Sequence, residues 1–92
     1  MLPRLTAAEY RGEHHIWIAF ADGVEGEVDL ARELYGEVFE PLKDPGVFRQ
    51  VRLDKELGTV VWPTGADFAP EFLYQKLRPE YRLKGSSHTG AA

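Results

Sequence analysis

Two carboxylate pairs are the first places to look for chemistry: Asp22 with Asp29, and Asp67 with Glu71. Such a pair supplies an acid and a base when burial raises one pKa and leaves the other low. Each of the four, however, stands where the backbone itself calls for an acid. Asp22 precedes Gly23 in a tight-turn signal, and Asp29 and Asp67 precede segments with helical signals. There a side-chain oxygen accepts from free N–H groups. Glu71 falls in a first helical turn, at the positive end of the dipole. All four are expected to be structural, and no hydrolase is expected from them.

The other reagents are scarcer. There is no cysteine, and the serines Ser86 and Ser87 lie in a tail without apolar anchors. Thr6, Thr59 and Thr64 have no evident base beside them, so nucleophilic catalysis is not expected. His14 and His15 are neighbours at a strand start and point to opposite faces, which does not suit a shared metal ion. Gly23 and Gly26 flank a strand and not a strand-to-helix turn, so no phosphate-binding loop is formed. No cofactor and no metal are expected, and the chain is expected not to be an enzyme. Arg49, Arg52 and Lys55, then Lys76, Arg78, Arg82 and Lys84 with Tyr74 and Tyr81 interleaved, could track a single-stranded nucleic acid. Cations late in a helix are also what its dipole favours, and a net charge of −4 argues against a general nucleic-acid binder.

The elements that must position these residues are organised around Thr59 to Leu77. Thr59-Val60-Val61-Trp62 is β-branched and aromatic, which predicts a half-buried strand that Pro63 stops. Thr64-Gly65-Ala66 turns the chain, and Asp67 is expected to cap a helix with Pro70 in its first turn. Pro70, Leu73, Tyr74 and Leu77 share one apolar face, and Pro79 ends the helix. Phe72 lies on the far side. It is expected to pack under the preceding loop against Phe68, or else to meet a second chain.

Upstream, residues 4–11 predict a strand with imperfect alternation. His14 to Phe20 predicts the clearest one, with Trp17 and Ala19 facing away from Ile16, Ile18 and Phe20. Ala21-Asp22-Gly23 turns into Val24 to Val28, whose outward row is acidic. Asp29 is expected to cap a short helix, LARELY, ending at Gly36, with Val38, Phe39 and Leu42 as apolar anchors beyond it. Asp44-Pro45 starts one helical turn with Val47 and Phe48 buried, and Val51 to Leu53 pairs with the Thr59 strand through a hairpin. These elements predict an α+β fold: a small two-layer domain, an antiparallel sheet of about five strands and two or three short helices. A single domain is expected over residues 1–83, with a disordered tail at 84–92.

Ninety-two residues, 43% hydrophobic and 28% charged, suit one soluble globular domain. No run approaches the ~20 apolar residues needed to span a bilayer, and MLPRLTAAEYRG lacks a signal-peptide pattern. A cytoplasmic location, without membrane association, is expected by default. Charge is uneven: residues 1–46 are acidic and residues 47–92 mildly basic. A polarised surface of that kind suits pairing with a second chain.

Three segments, FADGVEGEVDL, FEPLKDPGVFRQV and WPTGADFAPEFLY, resemble DUF2442, a family of small bacterial proteins of unknown function. Phe20, Asp22, Gly23, Asp29 and Leu30 carry the first motif, and Phe39, Leu42, Phe48 and Val51 the second. Trp62, Pro63, Gly65, Asp67, Pro70, Glu71, Leu73 and Tyr74 carry the third. The resemblance covers roughly residues 5–80. It implies a two-layer fold with a largely antiparallel sheet, no established activity and no catalytic residues. Some relatives continue into a helix-turn-helix domain, which is not expected here because these 92 residues end too early for it. Others lie beside another small protein in arrangements suggestive of toxin–antitoxin pairs.

The function expected on these grounds is a non-enzymatic protein-interaction module. It would form a homo-oligomer or pair with a neighbouring small protein, as a toxin–antitoxin-type accessory. Arg52, Trp62, Asp67 and Phe72 are the candidate interaction surface. The alternative is regulatory nucleic-acid binding through the basic C-terminal segment.

Overall fold

Alternating burial along His15-Ile16-Trp17-Ile18-Ala19-Phe20 builds the central strand of the protein: Ile16, Ile18 and Phe20 are buried, while the residues between them are half-buried. In the computed structural model, which describes residues 3–79, this strand is β2 (His15–Phe20). It lies between β1 (Leu5–Gly12) and β3 (Glu25–Asp29) in an antiparallel sheet. A second antiparallel pair is formed by β4 (Arg52–Asp54) and β5 (Thr59–Val61). Among the described residues, α1 (Pro45–Phe48) precedes β4 and α2 (Pro70–Leu77) follows β5.

The expected single sheet of about five strands is thus two sheets, of three and two strands. They meet where Leu5 donates its N–H to the Gly58 carbonyl at 3.2 Å. Just beyond, the register of β1 slips between Leu5 and Ala7, leaving Thr6 as a bulge residue. A bulge bends its strand and interrupts the ladder, and β1 forms no continuous ladder with the β4–β5 hairpin. A second slip, between Tyr10 and Gly12, completes the explanation of the strand's imperfect alternation.

The core lies on the inner side of the first sheet. Ile16, Ile18, Phe20 and Val28 face Leu30, Leu34, Leu42, Phe48, Val60, Trp62, Phe68, Leu73 and Tyr74. Gly26 lies where α2 crosses β3; a Cβ there would stand 2.8 Å from Leu77 Cδ2, so the tip of the Leu77 side chain would have to shift. Aromatic rings run through the interior in sequence. Phe48 meets Tyr10, His14 and Trp62, Trp62 meets Phe68 edge-on, and Phe68 stacks between Phe39 and Phe72.

Several local expectations change. LARELY forms only a 3-10 helix over Ala31–Glu33, because Leu34 has already left helical geometry (φ −95°, ψ 71°). That departure returns both Leu30 and Leu34 to the core. Asp29 still holds this turn, accepting the Ala31 N–H at 2.9 Å. Asp67 does not cap α2: the N-cap is Ala69, without a side-chain cap. The chain at Asp67 is instead drawn into a β-bridge with Val61 and reaches the helix two residues later. Val38, expected as an anchor, is 60% exposed, and the anchors nearby are Phe39 and Leu42. Residues 80–83 of the expected domain and the tail 84–92 lie outside the described residues.

Candidate interaction surface

The pairing of β4 with β5 decides how the residues expected to form a surface are distributed. Arg52 stands opposite Val61, and Val61 bridges Asp67, so these three form one row across the small sheet. Residues directly opposite in antiparallel pairs project to the same face, and Arg52 and Asp67 are both exposed. Trp62 follows Val61 and therefore turns to the other side. It is 3% exposed and donates its indole N–H to the Phe48 carbonyl at 2.8 Å. Trp62 is a core residue and offers no surface to a partner. Phe72 is half-buried, stacked on Phe68 with ring centroids 5.4 Å apart and planes within 15°. Lys76 Nζ lies 5.6 Å from the Phe72 ring and 2.7 Å from Glu33, so this side of α2 is engaged within the protein. Of the four residues, the fold brings Arg52 and Asp67 together and separates the other two from them.

The larger continuous face is the outer side of the first sheet. Its rows follow from the register: Ala7–Ala19–Glu25, Glu9–Trp17–Glu27, and Gly12–His15–Asp29. Trp17 is thus a half-buried indole at the middle of the central strand, flanked by two carboxylates. The Arg11 guanidinium lies over its ring at 5.7 Å and pairs with Glu9 at 3.2 Å. Glu9, Glu25, Glu27 and Asp29 are exposed along the same side. The outward direction of Trp17 and the acidic row of β3 were both legible in the sequence; their alignment depends on register.

The candidate reagents are occupied by structure to different degrees. Asp22 accepts the Val24 N–H at 3.0 Å, as its turn requires, and also the Tyr74 hydroxyl at 2.6 Å. The Tyr74 and Val24 hydrogen bonds hold its carboxyl below the usual carboxylate range. Asp44 caps α1 through the Gly46 N–H at 2.8 Å. His14 Nε2 faces the carbonyls of Leu42 (3.1 Å) and Lys43 (3.0 Å), so that nitrogen carries the proton and donates. The ring also meets Phe48 edge-on at 5.0 Å. His14 therefore pins the β1–β2 turn to the 3-10 helix Glu40–Lys43 and is more than a solvated strand start. His15 pairs across the sheet with Asp29 at 3.5 Å. Among the described residues, no three His, Asp or Glu side chains are grouped to hold a metal ion. None of the described helices is long and apolar enough to cross a membrane. Arg82 and Lys84 of the basic C-terminal segment lie outside the described residues.

A small α+β domain of two antiparallel sheets, with an acidic, tryptophan-centred sheet face, is the class of protein these observations define. The chain belongs to the family described as Protein of unknown function (DUF2442), whose model matches residues 5–79. No curated protein matches the chain. No solved structure matches it either.

Proposed function

We propose that the protein is a non-enzymatic interaction module and that the outer face of the first sheet, centred on Trp17, is its docking surface. The observation that carries the reading is the row Glu9–Trp17–Glu27: a large aromatic side chain held between carboxylates on a sheet face. Aromatic anchors dominate the energetics of protein interfaces, and surrounding charges set the partner and the rate of encounter. The acidic face calls for a basic occupant, and a second copy can supply one. Arg49, Arg52 and Lys55 are exposed around β4 and its turn. The contact would join unlike surfaces, head to tail. A neighbouring small protein with a basic face is the other occupant of this kind. That form corresponds to the toxin–antitoxin-type accessory role.

Sedimentation at micromolar protein tests self-pairing. Association should weaken as salt rises, and both Trp17→Ala and Arg52→Glu should weaken it about tenfold or more. A strictly monomeric species at low salt removes the second copy as occupant. Co-purification with the product of the adjacent gene, lost in Trp17→Ala, then decides the other form.

A further inference from the structure

A cleft of about 340 Å³ opens where the start of β1 meets the β4–β5 hairpin, lined by Arg4, Leu5, Thr6, Ala21, Leu53 and Lys55. Its volume is at the lower end of the roughly 300–1,000 Å³ of small-molecule sites, which pair apolar walls with a few placed polar groups. Here Leu5, Ala21 and Leu53 provide the walls, and Arg4, Lys55 and Thr6 the polar groups. Among the described residues no carboxylate lines the cleft, and Arg4 and Lys55 give it positive charge.

The cation at Arg4 is held in place. Its Nη2 donates to the carbonyls of Lys55 and of Glu56, the latter at 2.9 Å. Its guanidinium lies so close over Gly58 that a Cβ there would stand 3.2 Å from Cζ. With Nη2 committed to these two carbonyls, the Nε–H and Nη1 N–H groups remain as single donors, in fixed positions, for a carboxylate or phosphate oxygen. Thr6 reaches the cleft as the bulge residue of β1, and bulges commonly re-aim a side chain towards a site.

We propose that this cleft binds a small organic anion, with a single carboxylate or phosphate head on an apolar body. The head meets Arg4 and Lys55, and the body lies against Leu5, Ala21 and Leu53. This site does not involve Trp17 or the acidic sheet face, but it shares Lys55 with the basic surface around β4.

The test is an amide-resolved NMR titration of the whole chain with benzoate, with phenyl phosphate, and with neutral benzyl alcohol. Saturable shifts at Thr6, Ala21, Leu53 and Lys55 are expected with one or both anions and not with the alcohol. The tighter of the two anions identifies the head group. Lys55→Gln should weaken that binding about tenfold. Because the Lys55 carbonyl still receives Arg4 in this variant, its unfolding transition should be unchanged. Equal binding of benzyl alcohol, absence of saturable shifts at millimolar anion, or unaltered affinity in Lys55→Gln would overturn the proposal. A strictly monomeric protein that still shows these shifts would separate this site from self-pairing.

Discussion

Asp22 has one local partner and one distant partner. The Val24 N–H, two residues on, comes with any aspartate that opens such a turn, and the sequence sufficed to expect it. The Tyr74 hydroxyl arrives from α2, across the fold, and could be seen only once α2 lay over the first sheet. Both bonds favour the charged carboxylate and lower its pKa from the ordinary 3.8. A depressed folded-state pKa contributes stability above the unfolded value, and that stability is lost as pH falls through the folded value. Tyr74→Phe should therefore return the Asp22 titration towards its ordinary range and flatten the acid limb of stability against pH. Carboxyl-detected NMR measures the first and denaturation across acidic pH the second. An unshifted Asp22 titration in the variant would show that the Tyr74 bond is not its main cause.

The β4–β5 hairpin shows how an element depends on a residue outside it. Its turn, Asp54 to Gly58, is closed by the Leu57 N–H to the Asp54 side chain at 2.9 Å and by the Gly58 N–H to the Asp54 carbonyl at 2.8 Å. Gly58 adopts φ +70°, and Arg4 covers it. Gly58→Ala should cost about 1–2 kcal/mol from the left-handed backbone alone. Displacement of the Arg4 guanidinium should add to that loss. The midpoint of denaturant unfolding measures the sum, and an unchanged midpoint would show that the turn relaxes. At this scale the two hairpins, α1 with its Asp44 cap, and α2 with Pro70 near its start were all legible. The cap expected at Asp67 was not realised, because a β-bridge to Val61 competes for the same stretch. Phe72 was legible as a partner of Phe68, since a residue early in the helix can reach back to the loop before it.

Across the whole molecule, the aromatic rings add packing between elements that are joined by few hydrogen bonds. Phe48 is fully buried and touches Tyr10 of β1, His14 of the first hairpin and Trp62 after β5. It therefore links the two sheets through packing. Phe48→Ala should lose about 3–5 kcal/mol. That is a large share of the roughly 5–15 kcal/mol that holds a domain. Because the sheets share this core, unfolding followed by tryptophan fluorescence and by far-ultraviolet circular dichroism should coincide in the unaltered protein. Separate transitions would mean that the sheets unfold independently.

Sequence alone determined the strand and turn chemistry, the buried set on β2 and α2, the outward direction of Trp17 and the acidic row beside it. These depend on spacings of two to four residues, over which backbone geometry leaves few choices. Tertiary structure decided that the strands divide into two sheets, that Trp62 is interior, and that Arg4 meets Lys55 across a cleft. Each of those outcomes rests on contacts between distant parts of the chain. There, packing and bulges choose among arrangements that local pattern leaves equally open.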